Sequence, residues 1–270
     1  MHKSCEAPIG VFDSGVGGLT VVKSITKLLP HEKIIYFGDI ARLPYGTKSV
    51  ATIKKFATQT ASFLLKQNVK AIVIACNTIS AIAKDEVIKL AANIPVLDVI
   101  TAGTNDCCND NNIKNIGIIA TPATVNSNAY LNSILRLNNK INVYQASCSL
   151  FVPIIEEGLL NHPGLKLFAH DYLQPLLEQK IDSLILGCTH YPLIQNIIQE
   201  IIGNNIKIID PAISTALNLQ QILNKHNLLN TATTNPLHQF YVTELTKNFL
   251  NISQLILQQP PIQPMLVNIE

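Results

Sequence analysis

Ala71-Ile72-Val73-Ile74-Ala75-Cys76-Asn77-Thr78 is an apolar run that stops at a cysteine followed by two short polar residues. Such a run reads as a strand buried on both faces, the kind found in parallel sheets, ending at a site. The plan recurs in Ile181-Asp182-Ser183-Leu184-Ile185-Leu186-Gly187-Cys188-Thr189-His190, where the cysteine is followed by Thr and His. Ile9-Gly10-Val11-Phe12-Asp13-Ser14 and Ile116-Gly117-Ile118-Ile119-Ala120-Thr121 form a second echo, each an Ile-Gly, two apolar residues and a turn. Both echoes are offset by about 110 residues and keep their order, as expected of two similar α/β halves. Halves of that kind can face each other and present one thiol from each wall of a cleft.

The chain has 270 residues, enough for one large domain or two small ones. It is 47% hydrophobic and 14% charged, the composition of a globular protein with a generous interior. The net charge is +2 with scattered Lys and Arg, so no basic face points to a nucleic-acid partner. Mean hydropathy is +0.25, yet no apolar run approaches the ~18 residues of a membrane span. The first residues lack a signal-peptide core, and a cytoplasmic location is expected. Six cysteines there are not a disulfide framework. Cys5, Cys107, Cys108 and Cys148 read as ordinary small residues, and Cys188 with His190 is too small a set for zinc.

Taken in order, strand 8–12 runs into Asp13-Ser14-Gly15-Val16-Gly17-Gly18, and a helix follows with Leu19, Val22, Ile25, Leu28 and Leu29 on one face. The glycine turn fails both nucleotide fingerprints: Val16 stands where a P-loop needs Lys, and Thr20 where a dinucleotide loop needs Gly. It fits a small-anion site such as one for a carboxylate, and equally a plain strand-to-helix turn. A strand over 33–39 leads to Arg42-Leu43-Pro44-Tyr45-Gly46-Thr47-Lys48-Ser49, where Ser49 can cap the next helix. That turn suits substrate clamping and also an ordinary surface turn. A helix over 79–91 and strands over 95–99, 115–119 and 141–144 are expected, with helices through 129–131 and over 165–178. Tyr191-Pro192-Leu193 opens another helix, residues 206–209 form a strand, Ser214 could cap a helix to about 225, and 238–243 is a late strand. The tail 258–264 reads as loosely ordered. Alternation of strand and helix predicts parallel sheets with ligands at the carboxyl ends of the strands. Asp13-Ser14, Cys76-Asn77-Thr78, Thr121 with Thr124, and Cys188-Thr189-His190 all fall at such ends, which favours one shared site.

A cysteine where a strand gives way to a helix sits near free N–H groups, and these are expected to favour thiolate over thiol. One thiolate suggests a nucleophile. Two from opposite walls suggest proton transfer across a carbon atom, one abstracting from one face and the other donating to the opposite face. That is racemisation or epimerisation without a cofactor, and it needs a dry site with donors that stabilise a carbanion. Ser14, Asn77, Thr78, Thr121, Thr124 and Thr189 supply hydroxyl and amide groups; Asp13 and His190 could adjust the thiols or pair with an ammonium.

Gly10-Val11-Phe12-Asp13-Ser14-Gly15-Val16-Gly17-Gly18, Gly38-Asp39 through Pro44-Tyr45-Gly46-Thr47-Lys48-Ser49, Ala75-Cys76-Asn77-Thr78 and Gly187-Cys188-Thr189-His190-Tyr191-Pro192-Leu193 resemble glutamate racemase, of the aspartate/glutamate racemase superfamily. The resemblance runs from about residue 8 to 210. It implies a cofactor-independent isomerase interconverting L- and D-glutamate to supply D-glutamate for peptidoglycan, with Cys76 and Cys188 as the two acid/base catalysts. It makes Asp13, Ser14, Tyr45, Gly46, Asn77, Thr78, Thr189 and His190 substrate contacts. Thr121 and Thr124 match a Thr-x-x-Thr turn, and Glu156 matches an auxiliary carboxylate. The fold implied is two similar α/β domains with parallel sheets related by pseudo-twofold symmetry, 1–97 with 208–270 and 98–207, with the site between them. A homodimer is also implied, with no metal and no membrane. Two departures are Ile79, where the family usually has Ala, and Thr243-Glu244 in place of Thr-Gly-Asp.

Aspartate and hydantoin racemases also use paired cysteines, and discrimination by one methylene is a small-energy matter. A ligand-binding module that kept the scaffold, or a dithiol redox protein, are readings from other classes. The intact donors beside both thiols argue against the first, and the lack of a Cys-x-x-Cys motif against the second.

Overall fold

The computed structural model describes residues 4–233, 235–258 and 262–269. The first half runs β1 (Ile9–Asp13), α1 (Leu19–Leu28), β2 (Ile34–Gly38), α2 (Val50–Lys66), β3 (Ala71–Ile74), α3 (Asn77–Ala91) and β4 (Val96–Asp98). Helix α4 (Val99–Cys108) crosses to β5 (Asn115–Ala120), α5 (Pro122–Asn126), α6 (Ala129–Leu137) and β6 (Asn142–Ser147). Then come α7 (Phe151–Glu156), α8 (Pro163–Glu178), β7 (Ser183–Gly187), α9 (Gln195–Ile202) and β8 (Lys207–Ile209). Helix α10 (Pro211–Lys225) returns the chain to β9 (Gln239–Val242), α11 (Lys247–Leu257) and β10 (Met265–Leu266).

All strand pairs are parallel, in a six-stranded sheet ordered β10-β9-β2-β1-β3-β4 and a four-stranded sheet ordered β6-β5-β7-β8. The series β2-β1-β3-β4 and β6-β5-β7-β8 match. Both Ile-Gly strands, β1 and β5, therefore sit inside their sheets, and the strands that lead to the cysteines, β3 and β7, lie directly beside them. The α/β class and the two similar parallel sheets expected from the echoes are present. Strands β9 and β10 widen the first sheet beyond β2.

Helices cover both faces of each sheet at its centre, which is why β1, β2, β3, β5 and β7 read as apolar runs. On one face of the first sheet, Val11, Tyr36 and Val73 pack with Ile25, Leu219 and Phe249. On the other, Phe12, Ile72 and Ile74 meet Ile53, Leu64 and Val87. The second sheet packs Leu184 and Leu186 against α8 and α9, and Ile118 and Ile185 against Tyr130 and Ile134 of α6.

Several boundaries differ from expectation for local reasons. Ser49 does cap α2, its Oγ accepting from Thr52 N–H at 3.2 Å. Ser214 does not cap α10. The helix starts at Pro211 behind Asp210, whose carboxylate accepts from Ala212 N–H at 2.9 Å, while Ser214 is buried one turn in and donates to Asp106 Oδ2 at 2.9 Å. Asp98 ends β4 early because it caps α4, accepting from Thr101 N–H at 2.9 Å. Residues 259–261 of the expected loose tail lie outside the described residues, and Met265–Leu266 beyond them pairs with β9.

Near the amino ends of β2 and β3, Lys70 Nζ meets Glu32 Oε2 at 2.5 Å, with both side chains buried. Among the described residues no helix is long and apolar enough to cross a membrane, and no group of three or more His, Cys, Asp or Glu could hold a metal ion. All six cysteines are unpaired.

Candidate active site

The carboxyl ends of both sheets open onto one pocket. β1 delivers Asp13 and the Ser14–Gly18 turn; β3 gives way to α3 at Cys76, which occupies the N-cap in an extended conformation. β5 ends at Thr121, the N-cap of α5, and β7 ends at Gly187 just before Cys188. Both thiols line the pocket, as do Ser14, Tyr45, Gly46, Asn77, Thr78, Thr121, Thr189 and His190. Three of the expected site residues stand behind this lining: Asp13, Thr124 and Glu156. Asp13 and Thr124 are buried, and each reaches the lining through a hydrogen bond.

On the first wall, Cys76 Sγ donates to Ser14 Oγ at 3.5 Å. Asn77 Oδ1 accepts from the Tyr130 hydroxyl at 2.7 Å. Thr78 Oγ1 lies 3.0 Å from Thr121 Oγ1, which lies 3.0 Å from Thr124 Oγ1. The thiolate expected from the helix N-terminus is not what this environment favours. Burial, followed by the charge of Asp13, pushes the Cys76 thiol up to about 12, outweighing the Ser14 hydroxyl and the Ile79 N–H. The helix end contributes in the expected direction, but desolvation is larger.

On the second wall, Cys188 Sγ lies 3.8 Å from His190 Nδ1, and His190 Nε2 lies 2.6 Å from Glu156 Oε1. Burial works against a charge on His190, yet the hydrogen bonds to Cys188 and Glu156 hold it well above the ordinary imidazole range. Glu157, the neighbouring carboxylate, is exposed. Thr189 Oγ1 donates to Asp13 Oδ1 at 3.4 Å, and Thr20 Oγ1 donates to Thr189 O at 3.3 Å. A Cβ on Gly17 would stand 2.4 Å from Thr189 Oγ1 and 2.7 Å from His190 Nδ1. Glycine there lets the two turns close on each other. Burial also raises the Asp13 carboxyl, an effect His190 and the Gly15 N–H oppose.

The Tyr45-Gly46 turn forms part of the wall. Arg42 does not point to a ligand here: its Nε donates to Asp39 Oδ2 at 2.6 Å and its guanidinium stacks 4.0 Å over Phe56. Asp39, fully buried, also accepts from the Tyr45 hydroxyl and from Thr243 Oγ1. Sequence reasoning missed Asp39 and Tyr130 as supports. It also read Cys148 as ordinary, although this thiol lines the pocket. β6 runs on to Ser147 rather than ending at 144, so Cys148 is the strand-end residue of its own strand, and that signal was hidden by the polar Tyr144-Gln145.

A pocket held between two parallel sheets of matching order, with the buried thiols Cys76 and Cys188 at corresponding strand ends, defines an α/β enzyme acting on a small molecule. Residues 9–218 match the Asp/Glu/Hydantoin racemase family, and the chain belongs to that family of isomerases. A glutamate racemase of Neisseria meningitidis is 48% identical over 252 residues, spanning 93% of this chain and 93% of its own. One from Syntrophus aciditrophicus is 46% identical over 250 residues, 93% of this chain and 92% of its own. The crystal structure of glutamate racemase from Francisella tularensis in complex with D-glutamate aligns with a TM-score of 0.93 at 51% identity, covering 98% of this chain and 99% of that one. An aspartate racemase of Picrophilus torridus, at a TM-score of 0.58 and 18% identity, shares the fold.

Proposed function

We propose that this chain interconverts L- and D-glutamate without a cofactor, using Cys76 and Cys188 as the two acid/base groups. The observation that carries this reading is the presence of both buried thiols in one pocket, each at the end of the corresponding strand of its own sheet. The similarity to glutamate racemases, one of them bound to D-glutamate, supports glutamate over aspartate as the substrate.

In one direction a thiolate removes the α-proton: the C–H bond breaks, an S–H bond forms, and the electron pair stays on carbon, delocalised toward the carboxylate. The opposite thiol then gives its proton to the other face, its S–H bond breaking as the new C–H bond forms. The enzyme finishes with the protonation of its two sulfurs exchanged. Cys76, neutral in the empty site, is set to be the donor in that direction. To act as base in the other it needs a nearby cation, and the substrate ammonium supplies one. Ser14, Asn77, Thr78, Thr121 and Thr189 are the donors proposed to hold the carboxylates and the developing charge. The Tyr45-Gly46 turn closes the wall, Thr124 braces Thr121, and Glu156 acts through His190. The wider reading is a cytoplasmic homodimer supplying D-glutamate for peptidoglycan, on a chain divided into 1–97 with 208–270 and 98–207.

Incubation of the pure protein with L-glutamate and no added cofactor, followed by chiral analysis, tests the reading. Racemised glutamate supports it; racemised aspartate with untouched glutamate overturns the substrate. Cys76→Ala and Cys188→Ala should each abolish racemisation, and parental activity in either would overturn the two-base assignment. Single Cys→Ser proteins should still eliminate from a substrate with a good leaving group, because that reaction needs one base.

A further inference from the structure

We infer that Tyr130 is a positioning residue that fixes which end of the Asn77 amide faces the substrate, an inference that rests on the glutamate reading above. Tyr130 lies in the first turn of α6, a helix packed on the four-stranded sheet, and is fully buried. Its hydroxyl crosses to the first half and donates to Asn77 Oδ1 at 2.7 Å. Asn77 is the first residue of α3, directly after Cys76, and lines the pocket.

A buried hydroxyl hydrogen left without an acceptor is costly. Among the described residues the only acceptor found for the Tyr130 hydroxyl is Asn77 Oδ1. That pins the amide carbonyl away from the pocket, and no partner for Asn77 Nδ2 is found among the described residues. The two N–H donors of the planar amide are therefore left to face the cleft. Released from Tyr130, the amide is free to rotate by half a turn and present its oxygen, which a carboxylate ligand repels. The tyrosine thus converts an ambiguous side chain into a fixed donor beside one of the two thiols. It does so from the opposite half of the protein, so a ligand held by Asn77 is registered against both walls at once. The ring has a packing role of its own: a Cβ on Gly187 would sit 3.3 Å from Tyr130 Cε2. Phe keeps that contact and removes only the hydroxyl.

Tyr130→Phe should raise KM for glutamate about ten- to a hundredfold with a smaller change in kcat, the scale expected when a charged group loses one well-placed donor. Alkylation of Cys76 by neutral iodoacetamide should stay at the parental rate, because the wall itself is intact. In an Asn77→Ala background the same change should cost nothing further, since the amide it orients is gone. Parental kcat/KM in Tyr130→Phe would overturn the inference while leaving the glutamate reading intact. So would a loss that multiplies independently with Asn77→Ala, or a Tyr130→Phe protein that does not fold, because each marks a purely structural role. Failure of the parent protein itself to racemise glutamate would instead overturn the reading on which the inference rests.

Discussion

Glu156 Oε1 and His190 Nε2 are 2.6 Å apart, and the other imidazole nitrogen lies 3.8 Å from Cys188 Sγ. Carboxylate, imidazole and thiol form a line from the partly exposed α7 into the pocket. Both hydrogen bonds raise His190 above its ordinary 6.5 despite burial. A group raised in the folded state contributes stability that is complete below the unfolded pKa and is lost as pH rises through the folded one. Glu156→Gln keeps the shape and removes the charge. The imidazole should then lose its proton at lower pH, read from its nitrogen chemical shifts, and kcat/KM should fall by about ten- to a hundredfold, the worth of a charged hydrogen bond. Parental titration of His190 in Glu156→Gln would show that Glu156 is not its support.

Gly46 should not tolerate a side chain. A Cβ there would lie 2.8 Å from Thr121 Cβ, the stem of a β-branched residue that cannot swing aside. Thr121 is tied in turn to Thr78 and Thr124. Gly46→Ala should therefore push the Tyr45 turn off the wall. The expected cost is about 1–3 kcal/mol of stability, the usual penalty for overpacking, together with a KM increase of tenfold or more. Unchanged melting and unchanged KM would mean that the turn has room to move.

The strand ends were legible in the sequence because both sheets are parallel and covered. The central strands β1, β3, β5 and β7 are apolar runs, so each polar cluster that follows marks a carboxyl end, and all four clusters reach one pocket. Less legible was everything set by contacts across the chain. Tyr130 acts through Asn77, 53 residues away, and one of the partners of Asp39 is Thr243, 204 residues away. No local spacing reports such pairs. The protonation of Cys76 was misjudged for a related reason: helix-end donors are visible in sequence order, whereas the desolvation that outweighs them comes from packing. α4 was missed because Val99-Ile100-Thr101 looks like a continuing strand, and only the geometry of Asp98 reveals a cap.

Cys76 offers a pH test of the empty site. Only the thiolate is alkylated, and burial with the Asp13 charge pushes this thiol up to about 12. The logarithm of its iodoacetamide rate should climb with unit slope from about pH 7 to about pH 10 with no plateau, where an ordinary cysteine levels off near ~8.5. D-Glutamate, by bringing an ammonium near the sulfur, should alter that profile at saturation. A plateau near 8.5 in the empty protein would contradict the burial argument.

The buried pair Lys70–Glu32 separates stability from chemistry. Lys70 is fully buried, and besides Glu32 at 2.5 Å its Nζ donates to the carbonyls of Cys5 and Leu228. Glu32 holds Asn230 N–H at 2.8 Å with its other oxygen. The pair therefore ties together the chain before β1, the loop before β2 and the segment after α10, near the strand ends opposite the pocket. Lys70→Met fills similar volume and strands the Glu32 carboxylate in the interior, so unfolding free energy should drop by about 3–5 kcal/mol at neutral pH. Replacing both, as Lys70→Met with Glu32→Leu, removes the stranded charge and should recover most of that loss, because an apolar pair of similar size often matches a buried ion pair. Urea denaturation of the single and double variants measures both expectations. At temperatures where each remains folded, kcat/KM should equal the parental value, since none of the groups involved reaches the thiols. A double variant as unstable as Lys70→Met would show that the lysine's carbonyl bonds, rather than its charge partner, are what the fold depends on.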